Sequence, residues 1–192
     1  MTFSHQARRM ARRFPGLLIA AFVVIAVIAP VFAYRSLASS PPGRADGVVP
    51  DGTTALDVRV PGVANLDHDL LDALRRAASD SAEVGVEISV ESGWRSPAYQ
   101  EQLLREAIST YGSAQEAARW VATPETSPHV SGDAVDIGPA ARRWLARHGA
   151  AYGLCQIYRN EPWHYELRPA AIDDGCPRLY ADPTHDPRMQ GG

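Results

Sequence analysis

The chain has 192 residues, 45% hydrophobic and 21% charged, which suits one compact domain with its own core and is too short for two large ones. Its net charge of -3 is unevenly spread: five of the 19 basic residues fall in the first 35 positions, which hold no acid, so the remainder carries 14 basic groups against 22 acidic ones. An acidic body of this kind excludes nucleic acid as a partner, because a phosphate backbone needs a basic surface.

In chain order, Arg8, Arg9, Arg12 and Arg13 precede an uncharged run over residues 17–34. That run is long enough to cross a bilayer as one helix, and the basic flank places the N-terminus in the cytoplasm. Residues 1–35 are therefore expected to form a basic flank and a membrane anchor, with the rest of the chain extracytoplasmic. A cleaved signal peptide, with Val31-Phe32-Ala33 before the cut, is the alternative. Residues 36–61 are rich in Ser, Pro, Gly and Asp and predict a flexible linker.

The folded domain is expected over residues 62–181. His68 to Ala78 has apolar residues at helical spacing with Asp67 as N-cap. Val84 to Val90 alternates like a strand. Pro97 to Tyr111 predicts a helix with proline in its first turn and Gly112 after its end. A further helix is predicted over Ser113 to Val121, a short strand over Ala134 to Ile137, and a helix over Pro139 to His148. Two more strands, Leu154 to Tyr158 and Trp163 to Leu167, are joined by a turn at Asn160. Helices and strands mix without regular alternation, which predicts an α+β fold with a small mixed sheet flanked by helices. Cys155 and Cys176 are expected to pair in an exported domain; closing a loop of about 20 residues stabilises by roughly 3 kcal/mol on the loop-entropy view. Residues 182–192 are polar and proline-containing and predict a disordered tail.

Two segments carry the chemistry. Residues 127–136 offer His129 and Asp136, seven apart with Gly132 between them, so that both side chains converge across a turn onto a strand. Residues 161–166 add His164, and Glu161 three positions before it. Two imidazoles and a carboxylate make a three-ligand set that leaves a zinc ion one open position. Glu161 is then left as a base for the attacking water.

The pattern Ser127-x-His129-x-x-Gly132-x-Ala134-x-Asp136, followed by Glu161-x-Trp163-His164, resembles the D-alanyl-D-alanine carboxypeptidases and dipeptidases of the VanY and VanX type. Ser92-Gly93-Trp94-Arg95-Ser96 and then Gln100 match a third motif upstream. Trp94 stands where that family usually has tyrosine, and Pro97 where an aromatic is usual; both departures bear on substrate specificity. The resemblance implies the Hedgehog/DD-peptidase fold and zinc at His129, Asp136 and His164, with Glu161 as base. It implies Arg95 facing the scissile carbonyl, where a fixed, permanently charged guanidinium stabilises an oxyanion. Ser127 and Gln100 would hydrogen-bond the terminal carboxylate or amide of the peptide, with Trp163 packing beside them. Glu166 is open between orienting a ligand and a solvated strand end. Asp133 is not a ligand in this pattern, and His68, His148 and His185 are expected at the surface.

The expected activity is removal of the terminal D-alanine from peptidoglycan stem peptides. Alternatives within the same chemistry are an endopeptidase, a dipeptidase or an L,D-carboxypeptidase. The alternative from another class is a non-catalytic zinc-containing module that binds peptidoglycan; Glu161 and Arg95 speak for catalysis.

Overall fold

The computed structural model describes residues 41–190. The expected anchor over 17–34 lies outside the described residues, and among them no helix is long and apolar enough to cross a membrane.

The core is built around one amphipathic helix. After a short turn of helix, α1 (Pro61–Ala64), comes α2 (His68–Glu83). Asp67 caps α2, its Oδ1 accepting from the amides of Asp69 (2.9 Å) and Leu70 (3.1 Å), which satisfies two of the unpaired donors of the first turn. Leu70, Leu71, Ala73, Leu74 and Ala77 form a single buried stripe, as residues three and four apart on a helix must. They pack on a four-stranded sheet of β1 (Val90–Ser92), β2 (Ala134–Ile137), β3 (Leu154–Gln156) and β4 (His164–Leu167), in the order β1-β2-β4-β3. Val90, Val135, Ile137, Leu154 and Tyr165 share this core with Ala141, Trp144 and Leu145; these last three belong to a later helix, Pro139–His148. Leu74 is completely buried, so Leu74→Ala should lower unfolding stability by about 2–5 kcal/mol, the usual cost of a core leucine and the cavity left behind. Urea unfolding of the two proteins measures it, and a loss below about 1 kcal/mol would mean that the stripe is not the core.

The remaining helices are α3 (Pro97–Tyr111), α4 (Ala114–Ala117), α5 (Pro128–Ser131), α6 (Pro139–His148) and α7 (Ala171–Asp174). Proline at the start and a left-handed Gly112 at the end (φ +81°) bound α3 as its sequence predicts,. Cys155 and Cys176 form a disulfide.

Four expectations need correction. The sheet is antiparallel at every strand pair, not mixed; a parallel pairing, Tyr158 to Tyr180, is an isolated bridge outside its strands. The strand predicted from Val84 begins only at Val90, because α2 runs on to Glu83 and Gly85 (φ +72°) makes a turn; Ile88 is nevertheless buried. The described part of the expected linker is folded onto the domain. Val90 N–H donates to Thr53 O (2.8 Å), Ser96 N–H donates to Asp46 O (2.8 Å), and Ala55 is fully buried. Backbone hydrogen bonds cover the edge beside β1, and side-chain composition does not report them. The tail expected to be disordered is also packed over residues 182–190, with Asp182 and Asp186 buried. Arg119 reaches Asp182 at 3.2 Å, and Arg188 pairs with Asp186; carboxylates leave water when a guanidinium meets them.

Candidate metal centre

The antiparallel register brings the ligand candidates together. Asp136 on β2 stands directly opposite His164 on β4, and Ser92 on β1 flanks Asp136 from the other side. Directly paired residues have side chains on the same face about 4.5–5.5 Å apart at Cβ. His129 comes from α5, one helical turn that ends at Gly132. Gly132 is left-handed (φ +87°), and a Cβ there would lie 2.5 Å from Asn65 O, so no other residue fits this turn without displacing backbone. Its carbonyl accepts from Asp67 N–H at 2.9 Å, tying the turn that carries His129 to the start of α2.

Both imidazoles are held so that one lone pair faces inward. His129 Nδ1 lies 2.8 Å from Gly93 O. A carbonyl only accepts, so Nδ1 carries the proton and Nε2 is the free lone pair. His164 Nε2 lies 3.2 Å from Glu166 Oε1, which by the same reasoning leaves Nδ1 free. These two nitrogens are 3.3 Å apart, and each lies 3.4 Å from Asp136 Oδ1. Three acceptors thus form a nearly equilateral triangle, and Asp136 Oδ1 is buried without a hydrogen-bond donor. Zinc with ligands at 2.0–2.1 Å in tetrahedral geometry has ligand edges of roughly 3.3–3.4 Å. The three residues therefore fit a zinc ion in size, chemistry and tautomer. Burial pushes the His164 pKa down, but the facing carboxylates of Asp136 and Glu166 outweigh it and raise the value to about 9. The pocket calls for one positive charge, which a proton or a metal ion supplies.

Glu161 lies at the edge of this triangle. Its Oε2 is 3.9 Å from His164 Nδ1, and its buried Oε1 has no hydrogen-bond partner among the described residues. Burial raises its pKa to about 7, against the opposing pull of His164, which suits a group that must both take and return a proton near neutrality. Arg95 donates from Nη2 to Asp136 Oδ2 (2.9 Å), from Nε to Ser92 Oγ (2.9 Å) and from Nη1 to Gln100 Oε1 (3.1 Å). Two of the five guanidinium N–H groups remain for a ligand, and the side chain lines the cleft.

Other expected site residues are placed differently from one another. Ser127 lines the cleft, is buried, and its hydroxyl makes no hydrogen bond among the described residues, so it is available to a ligand. Gln100 is buried and lines the cleft; its Oε1 accepts from Arg95 and its Nε2 donates to Ala122 O (2.9 Å), so it braces Arg95 and the Ala122 backbone and keeps a second Nε2 hydrogen for a ligand. Trp163 lines the cleft with Arg142 5.7 Å above its ring, a cation–π distance. Glu166 is 1% exposed, which removes the solvated strand-end reading. Burial works against its charge, but His164 and Arg188 hold its pKa down at about 2. Asp133 binds Ser131 at the surface, and His68 and His185 are exposed.

Sequence reasoning missed Tyr158, Pro183 and Met189, which also line the cleft, and Arg188, which reaches Glu166 at 2.7 Å. No local motif marks them. The available signal was Glu166, a carboxylate on the same strand face as His164 that would need cationic partners if buried.

The family model for VanY, D-alanyl-D-alanine carboxypeptidase, matches residues 63–170. A D-alanyl-D-alanine carboxypeptidase of Enterococcus faecalis is 35% identical over 124 residues, 51% of this chain and 44% of that protein; the chain thus spans less than half the length of this relative. Among solved structures, a mutant of the D,D-pentapeptidase VanY from the VanB-type resistance cassette, in complex with Zn(II), aligns at TM-score 0.54 and 27% identity, covering 59% of this chain and 80% of that one. VanYB in complex with D-alanine-D-alanine aligns at TM-score 0.52 and 27% identity, over 57% of this chain and 74% of that one.

Proposed function

Because the chain belongs to the VanY family of D-alanyl-D-alanine carboxypeptidases, we propose that it is a zinc-dependent carboxypeptidase that releases the terminal D-alanine from peptidoglycan stem peptides. The observation that carries this reading is the triangle of inward-facing lone pairs on His129, Asp136 and His164, with a partnerless, near-neutral Glu161 beside it. Zinc held there supplies a Lewis acid that acidifies water and polarises the scissile carbonyl.

The chain's own groups do the rest. Glu161 takes a proton from the attacking water and hands it to the departing D-alanine amine, a cycle that a pKa of about 7 permits in both directions,. The free N–H groups of Arg95 stabilise the negative charge that develops on the carbonyl oxygen. Gln100 and Asp136 hold the guanidinium in place, so no reorientation is needed during the reaction. The Ser127 hydroxyl donates to the terminal carboxylate, and Trp163 packs against the D-alanine methyl.

We further propose that residues 17–34 tether the enzyme to the cytoplasmic membrane, with the domain on the outer side. The basic flank, the acidic body and the Cys155–Cys176 bridge support this, since such bridges persist in oxidising compartments.

Incubation with defined stem peptides and mass spectrometry of the products tests the reading. Release of D-alanine from a stem pentapeptide, lost with a chelator and regained with zinc, is the expected result. Release from a tetrapeptide alone would make it an L,D-carboxypeptidase, and cleavage of cross-linked dimers alone an endopeptidase. Binding of stem peptide by the zinc-loaded protein without any cleavage would establish a non-catalytic module instead.

A further inference from the structure

The family match ends at residue 170, yet residues 182–190 reach the metal centre from beyond it. The path is well tied down. Cys176 is bridged to Cys155, and Tyr180 exchanges backbone hydrogen bonds with Ile157 (3.0 Å) and Arg159 (2.9 Å). Asp182 anchors on Arg119. Pro183 and Met189 then form part of the cleft wall with Glu161 and His164. Asp186 is fully buried and accepts from Tyr158 OH at 3.1 Å, and the Tyr158 ring lies 5.1 Å from that of His164.

The segment ends its approach at Glu166. Arg188 donates from Nη1 to Glu166 Oε2 (2.7 Å) and from Nη2 to Oε1 (3.3 Å), while Asp186 holds the same guanidinium from behind. Oε1 is also the atom that accepts from His164 Nε2. Arg168 contacts Oε2 alone, so without Arg188 the oxygen that orients His164 would have no second donor. A two-point guanidinium contact sets the plane of a carboxylate as well as its charge.

We propose that Arg188 is a positioning residue of the metal centre: through both oxygens of Glu166 it fixes the carboxylate that holds the His164 ring with Nδ1 facing inward. Residues 182–190 are thus a working strap of the site. This rests on the zinc reading above. Groups that orient a ligand from behind typically change metal affinity by about 10–100-fold when removed.

The test uses the full chain with Arg188→Ala and Arg188→Lys. Zinc affinity is measured by competition with a chromophoric chelator, site geometry from the visible absorption of the cobalt-substituted protein, and turnover on a stem pentapeptide. Thermal unfolding of the metal-free proteins is measured alongside. Arg188→Ala should bind zinc about 10–100-fold more weakly, shift the cobalt bands, and lower kcat with little change in KM. The Arg188 side chain is 43% exposed, but its partners Glu166 and Asp186 are buried, so Arg188→Ala should also unfold at a lower temperature, and the comparison with Arg188→Lys separates that loss from the positioning role. Arg188→Lys, which keeps the charge but not the two-point contact, should restore part of the affinity. Unchanged or tighter zinc binding with an unchanged cobalt spectrum in Arg188→Ala overturns the positioning role and leaves the zinc reading standing. So does an affinity loss that follows lowered unfolding temperature and is not relieved by lysine. A wild-type chain that binds no zinc overturns the zinc reading, and the positioning role with it.

Discussion

Glu161→Gln is expected to abolish peptide hydrolysis while leaving zinc in place. The amide matches the carboxylate in shape, so the pocket around it need not move, but it has no basic oxygen to receive the proton of water. Glu161 Oε2 is 3.9 Å from the nearest ligand nitrogen, outside coordinating distance of the triangle, so metal content should stay at the wild-type level. General acid–base groups contribute about 10²–10⁴-fold. Glu161 serves both proton transfers, and the loss should sit at the upper end, about 5 kcal/mol of barrier at 1.36 kcal/mol per factor of ten. Zinc content by atomic absorption and D-alanine release from a stem pentapeptide measure the two halves separately. Turnover within tenfold of wild type would remove Glu161 from the mechanism.

His164→Ala should instead lose metal and activity together. The substitution deletes one corner of the three-atom triangle and leaves Glu166 without the imidazole donor at Oε1. Zinc affinity should fall by well over the roughly 100-fold that is the upper range for a residue acting from behind a ligand, and saturating zinc should not restore wild-type turnover. The apoprotein should remain folded, because the core helix α2 packs on the opposite face of the sheet through Val135 and Tyr165. Retention of stoichiometric zinc at wild-type affinity would show that the metal is held elsewhere. The contrast between the two variants is informative in itself, since Glu161 and His164 are three residues apart and a general disruption of the segment would affect both alike.

The metal centre was legible in the sequence because its parts are short and rigidly spaced. Two residues with strong coordinating chemistry, His129 and Asp136, flank a left-handed glycine whose place no larger residue takes without displacing backbone, and His164 follows in a second short segment. The α3 and α6 helices were legible for a similar reason: proline and glycine mark their ends locally. What escaped reading depends on contacts distant in the chain. The folded part of the expected linker is held by its backbone at residues 46 and 53, atoms that every amino acid carries. The strap looked like a solvated tail because Asp182, Asp186 and Arg188 are charged, and charge predicts exposure only until a partner is known. The bracing role of Gln100 escaped reading because its position on α3 was visible but not its neighbours there, Arg95 and Ala122.

The strap also imposes an order on maturation. In the direction of synthesis His129, Asp136, Glu161 and His164 all precede Arg188. A nascent chain that has just exposed His164 already holds the three ligands but lacks the guanidinium grip on Glu166 and the Pro183 and Met189 wall. Cys155 likewise waits 21 residues for its partner. A hydrolytic centre assembled in this sequence stays incomplete during synthesis, and reaches its working form only once the segment carrying Arg188 has been made and has docked.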